Sequence, residues 1–214
     1  FPVVYGEESK SGAGLIWLDG RAFAAEPNGG PGSREMALRA RLLNDHGPVG
    51  PEVVVDGRVC ECCQTDAAIA STGPVVVYRD RSDEEIRDIY VSRFVGGHWT
   101  EGEPVHLDGW LINACPVNGP AIDAAGETVV VAWFTGANEQ PRVKVAFSTD
   151  AGATFAEPIT VDDGNPAGRV DIALAGDGSA WVSWIERLEG TEAEVRVRGV
   201  SPTGSLARSG TIAA

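Results

Sequence analysis

Hydrophobic positions along the chain follow two rhythms. Short unbroken apolar runs carrying an aromatic residue occur at 15–21, 75–81, 129–136 and 181–187, each running into a charged or polar loop. Stretches in which apolar and polar residues alternate follow at 36–42, 88–94, 142–147 and 194–200. A short apolar run between turn residues fits a strand buried on both faces, and strict alternation fits a half-buried strand. The segment 36–42 also suits a short helix, because Met, Ala, Leu and Arg are good helix formers. Its place in the repeat favours a strand. The anchors Trp17, Tyr78, Trp133 and Trp184 recur roughly every 50 to 60 residues.

A further strand is expected ahead of each anchor, at 2–5, 66–70, 119–123 and 169–174. One closes each unit, at 52–57, 104–109, 158–164 and, weakly, 210–213. Turn residues separate the first two strands of every unit: Lys10-Ser11-Gly12, then 71–74, 125–127 and 176–178. The chain therefore divides into units 1–57, 58–109, 110–164 and 165–214 of one domain. Four antiparallel strands per unit is the make-up of a propeller blade. An all-β, four-bladed β-propeller is the expected architecture, with a β-sandwich as the alternative.

Composition narrows the partners. At 214 residues, 43% hydrophobic and 22% charged, the chain matches a globular protein with a full core. Its 27 Gly and 13 Pro fall singly at turns, as punctuation between strands. A net charge of −14 disfavours a nucleic-acid partner. No apolar run approaches the ~18–20 residues of a membrane span. No charged-then-apolar leader follows Phe1, so a mature, trimmed or engineered start is expected.

Ser148-Thr149-Asp150-Ala151-Gly152-Ala153-Thr154-Phe155 lies between the third and fourth strands of the third unit. Ser148, Asp150, Gly152, Thr154 and Phe155 match an Asp box at every specified position. Gly permits the tight hairpin, and the Asp accepts hydrogen bonds across it. With this motif the chain resembles the sialidase-like, bacterial-neuraminidase-repeat propellers. Residues 94–100 carry an eroded version. The Trp17-Leu18-Asp19-Gly20-Arg21, Cys60-Glu61-Cys62-Cys63 and Asn113-to-Pro120 segments resemble a bacterial subgroup labelled exo-α-sialidase. The chain departs from sialidases in lacking Arg-Ile-Pro and in having only Tyr5, Tyr78 and Tyr90, none in a recognisable nucleophile pair. Sialidase propellers have six blades. Either this is a four-bladed ring, or N-terminal blades are missing and another copy completes it.

The family geometry gathers the loops after the second strands and the starts of the innermost strands at one mouth. It places Asp19, Arg21, Arg79, Arg81, Asn113, Asn118 and Arg169 there as ligand-binding candidates. Asp80, Asp171 and Glu186 are catalytic candidates, with Asp19 and Asp66 as further carboxylates. Thr135 and Arg187 join the same rim. Arginine forks suit carboxylate ligands and paired carboxylates suit glycoside hydrolysis. Idle surface ion pairs are the plain alternative.

Cys60, Cys62, Cys63 and Cys115 enter that face from adjacent units. Structural disulfides, with Cys115 pairing to Cys62 or Cys63, would suit an exported protein. A soft-metal site for copper or zinc is the second reading. Thiol redox chemistry is the third. His46, His98 and His106 read as surface or rim residues. No nucleophile elbow or phosphate loop is present. The leading expectation is a secreted or periplasmic binding or scaffold propeller with a thiol-rich, metal-binding mouth. A small molecule, a glycan or a metal would be its ligand. A glycoside hydrolase acting on acidic glycans is the runner-up. A propeller fragment forming homo-oligomers is the third reading.

Overall fold

A computed structural model describes residues 2–6, 12–22, 35–190 and 192–213. The turn expected at Lys10-Ser11 lies outside them. Among the described residues, regular structure is almost wholly β, in four antiparallel sheets. The first is β1 (Val3–Gly6), β2 (Gly12–Asp19), β3 (Met36–Asn44) and β4 (Gly47–Val59), paired in that order. The second is β5 (Asp66–Ala70), β6 (Gly73–Arg79) and β7 (Ile89–Val95), with β8 (His98–Trp99) and β9 (Glu103–His106) both pairing to β7. The third is β10 (Ala121–Ala125), β11 (Thr128–Thr135), β12 (Arg142–Ser148) and β13 (Ile159–Thr160). The fourth is β14 (Pro166–Leu174), β15 (Ala180–Arg187), β16 (Ala193–Val200) and β17 (Gly210–Ala213). Segment 36–42 is a strand, as its place in the repeat implies. The strand expected over 158–164 shrinks to two residues, because Asp162 and Asp163 turn their carboxylates to backbone and arginine donors.

The sheets stack through three apolar interfaces. Ile16, Leu38, Val59, Val76 and Tyr78 join blades one and two. Val75, Val77, Val91, Val129, Val131 and Trp133 join two and three. Val130, Ala132, Phe134, Val170, Val182 and Trp184 join three and four. This explains the unbroken apolar runs: β6 and β11 are covered on both faces and cannot alternate. β15 lies at an open end and does alternate, with Trp181 52% exposed. Among the described elements, contacts run along the series β1, β5, β10, β14, and no extended contact returns from β14 to β1.

The aromatic anchors are also polar latches. The Tyr78 hydroxyl donates to Asp56 Oδ2 at 2.7 Å, and Trp133 Nε1 donates to Asp108 Oδ2 at 2.7 Å. In each pair the carboxylate comes from the end of the preceding blade. A buried Tyr or Trp needs such a partner for its polar tip. The innermost strands are tied likewise: Asp66 Oδ2 accepts from Ile122 N–H at 2.9 Å, and Asp123 Oδ2 from Leu174 N–H at 2.7 Å.

Candidate functional site

The mouth is built where the innermost strands begin. Ahead of β5, the Gln64 side chain pairs with both backbone groups of Gly119: Nε2 donates to the carbonyl at 3.2 Å, and Oε1 accepts the N–H at 2.9 Å. A Cβ on Gly119 would lie 1.9 Å from the Gln64 carbonyl oxygen, so only glycine permits this approach. Asn118 repeats the device one blade on. Its Nδ2 donates to the Ala167 carbonyl at 3.2 Å, and its Oδ1 accepts from Arg169 N–H at 2.9 Å. Here β14 bulges between Gly168 and Asp171, and Arg169 adopts φ 57°. Val117, next to Asn118, adopts φ 53°. A β-branched residue in that region is strained, which marks a backbone held by its surroundings.

Arg79 underlies this arrangement. It is 2% exposed. Its Nε donates to the Asn118 carbonyl at 2.8 Å, its two terminal nitrogens donate to the carbonyls of Arg87 and Phe134 at 2.5 and 2.7 Å, and its guanidinium stacks 4.8 Å from the Trp110 ring centre. Those bonds occupy the fork that a ligand carboxylate would need.

The four sulfurs converge above Arg79. Cys62 and Cys115 form a disulfide, their Cα atoms 6.2 Å apart, within the usual span. Cys60 and Cys63 are free thiols, each 1% exposed. Their sulfurs lie 2.9 Å apart, and Cys60 Sγ is 4.0 Å from Cys62 Sγ. Arg87 Nη1 donates to Cys60 Sγ at 3.4 Å and to Glu61 Oε2 at 2.8 Å. Glu85 completes the cluster by accepting from both Arg87 and Arg81, while Arg81 also reaches Glu61. The hydrogen bond with Cys63, helped by Arg87, holds the Cys60 thiol well below its ordinary range. The same contact, with burial, pushes Cys63 up. Cys115 is exposed, Cys62 half-buried, so the disulfide faces the mouth and the free pair lies beneath it.

The remaining sequence candidates scatter. Asp19 is buried, accepting from Trp17 Nε1 at 2.9 Å and from Arg21, whose hydrogen bond drives its pKa down to about 2. Arg21 bridges Asp19 to Glu52 and is itself exposed. Glu186 is 3% exposed and accepts from Trp184 Nε1 and Asn165 N–H, both at 2.6 Å. Asp66 is tied across blades, and burial raises its pKa. Asp80 is half-buried between blades one and two near Asp56 and Tyr90, and burial lifts it to about 6. Thr135 is buried, and Arg187 donates to the Pro166 carbonyl at 2.8 Å. Asp171, Asn113 and Arg169 are exposed. Arg87, Glu61, Glu85 and Gln64 were absent from the sequence candidates. Strand phasing already puts the β6–β7 loop on the cysteine face, which is the signal for Arg87 and Glu85.

At the far face, Ser148 Oγ donates to Asp150 Oδ1 at 2.7 Å and Thr154 Oγ1 to Asp150 Oδ2 at 2.6 Å. Ser148 Oγ accepts from Gly152 N–H at 3.0 Å, with Gly152 at φ 81°. Phe155 packs onto the core between blades two and three.

No family model matches the chain, and no curated protein matches its sequence. Solved structures do match its shape. The α-L-arabinofuranosidase PaAbf62A from Podospora anserina, in complex with cellotriose, superposes with TM-score 0.51 at 11% identity, over 96% of this chain and 65% of that one. The Bombyx mori GH32 β-fructofuranosidase gives TM-score 0.51 at 16% identity, over 99% and 48%. A polysaccharide lyase, an ulvan lyase, gives 0.52 at 12%, over 94% and 52%. The protein is thus an all-β propeller, similar in fold to propeller glycosidases, and it spans less than two thirds of the length of each of these structures. Among the described residues, no helix is long and apolar enough to cross a membrane.

Proposed function

We propose that this is a secreted or periplasmic binding propeller of the sialidase-like kind whose mouth takes a soft metal ion, copper(I) before zinc. The observation carrying this reading is that one ligand atom each from Cys60, Cys62 and Cys63 lies within 4.8 Å of the others. Thiolates select soft ions, and few ligands suffice for copper(I). Two thiolates bound tetrahedrally at ~2.3 Å would sit about 3.8 Å apart. The 4.0 Å between Cys60 and Cys62 fits that, whereas the 2.9 Å between Cys60 and Cys63 requires Cys63 to draw back by about 1 Å. Three thiols are available only when Cys62–Cys115 is reduced. The fully reduced protein is expected to bind one copper(I) in competition with a chromophoric chelator, and Cys60→Ser to abolish it. Reduced protein that leaves all copper on the chelator would refute the proposal.

A second reading, a glycoside hydrolase acting on acidic glycans, is favoured by one observation. Asp80 is half-buried between blades one and two, and burial raises its carboxyl to about 6, the direction seen at proton-transferring carboxyls. Turnover of an acidic glycoside that is lost in Asp80→Asn and kept in the cysteine variants would establish it. Self-association through the open end face that carries Trp181 would appear as a concentration-dependent mass.

A further inference from the structure

We propose that the four cysteines form a thiol–disulfide relay, in which the rim bond Cys62–Cys115 and the buried pair Cys60/Cys63 exchange one disulfide and pass it to low-molecular-weight thiols. The inference goes beyond metal binding and holds with the metal absent. Three geometric facts carry it. Cys60 Sγ stands next to both a disulfide sulfur, at 4.0 Å, and a second free thiol, at 2.9 Å. Arg87 Nη1 reaches that same sulfur at 3.4 Å and so fixes it beside the disulfide. The far member of the disulfide, Cys115, is the exposed one. Resolving thiol, nucleophile, bond and leaving group therefore lie in sequence from the interior to the rim.

The internal exchange needs no oxidant, and the later exchange with solvent uses an external disulfide as oxidant. The Cys60 thiolate attacks Cys62 Sγ, forming Cys60–Cys62 and releasing Cys115 as a thiolate, which takes a proton from water. Cys63 then attacks Cys60 Sγ, forming Cys60–Cys63. The electron pair goes to Cys62, which takes the proton that Cys63 gives up. One S–S bond has moved inward and no net electrons have been transferred. The freed Cys115 can now attack an external disulfide, RSSR, forming Cys115–SR and releasing one RS⁻. Cys62 attacks Cys115 and releases the second. The external disulfide is reduced to two thiols and the protein ends with two disulfides. The reverse sequence oxidises two external thiols.

The test uses the 214-residue protein with a copper and zinc chelator present throughout. Fully reduced protein is given one equivalent of glutathione disulfide, quenched in acid, alkylated and mapped by mass spectrometry. Both Cys62–Cys115 and Cys60–Cys63 are expected, each in at least about a tenth of the molecules. The same ratio is expected when fully oxidised protein receives one equivalent of dithiothreitol. Finding Cys62–Cys115 alone by both routes, with Cys60 and Cys63 free, overturns the relay. In singly oxidised Cys63→Ser, the thiol labelled by maleimide under native conditions is expected to be Cys115. A Cys115 that stays protected in folded variant also overturns it, and should the variant not fold, the wild-type map decides alone. The copper titration of reduced protein is independent, so either proposal can fail while the other stands.

Discussion

Arg79→Met separates a binding arginine from a structural one. Methionine keeps much of the side-chain bulk and removes the guanidinium. Three buried carbonyls, those of Asn118, Arg87 and Phe134, then lose donors that now lie at 2.5–2.8 Å. Each orphaned buried acceptor costs about 1–3 kcal/mol. Relief from burying a cation offsets part of that sum, yet removing one partner of a buried charged contact typically leaves a net loss of ~3–5 kcal/mol. For a chain of this size, each kcal/mol lowers Tm by about 2–4 °C, so a fall of roughly 6–20 °C is expected. Urea denaturation should show a lower midpoint with an unchanged slope. Arg79→Lys keeps the charge but not the three-way fork, and should fall between. Arg169→Met removes an exposed guanidinium and should leave the midpoint where it is. Should Arg79→Met lose less than ~1 kcal/mol, water replaces the guanidinium and the structural role assigned to it is wrong.

Three further outcomes follow from the same reasoning. Burial raises Asp80 to about 6, so its contribution to stability is full below the unfolded pKa near 4 and fades as pH rises through 6. Asp80→Asn should therefore stabilise the protein at pH 8 by ~1–2 kcal/mol after allowing for partial exposure, with no gain below pH 4, as thermal melts across pH would show. Asp150 is the opposite case: its hydrogen bonds, Thr154 first, hold it near 2, so it stabilises above pH 4 and the effect disappears as pH falls through 2. Asp150→Ala should cost about 1 kcal/mol at pH 7, because the carboxylate is largely exposed, and equal melts for variant and parent at pH 7 would contradict it. Cys115→Ser opens a loop closed over a separation of 53 residues, and the oxidised parent should exceed it by ~2–4 kcal/mol in urea. No difference there would mean that the reduced mouth is already as constrained.

Much of the architecture was legible because a blade imposes a rhythm on its residues. Asp66–Ala70 and Gly210–Ala213 are strands as expected, and the double-sided burial of β6 and β11 shows directly as Val75-Val76-Val77 and Val129-Val130-Val131. Phasing of the blades also brought Cys115 to Cys62 over a long stretch of chain. The roles of polar residues were harder to read. Arg79 and Arg81 sit two residues apart at the end of one strand, yet the first points into the protein and the second into a surface ion cluster. A sequence shows the guanidinium but not the three carbonyls awaiting it. Glu186 and Asp19 resembled free rim carboxylates because nothing in their neighbours reveals that the tryptophan two positions earlier turns back to them. Gln64 carries no motif at all, and its importance comes from Gly119, a partner 55 positions away.

That amide clasp bears on how the mouth behaves after its cross-link is cut. Gln64 grips Gly119, and Asn118 grips the start of the next blade, through contacts that involve no sulfur. The two cysteine loops are therefore registered by side-chain amides bonded to backbone, and reduction should leave them facing each other instead of letting them drift. The mouth would act as a jig for its own reassembly, bringing Cys115 back to Cys62 through many cycles of opening and closing.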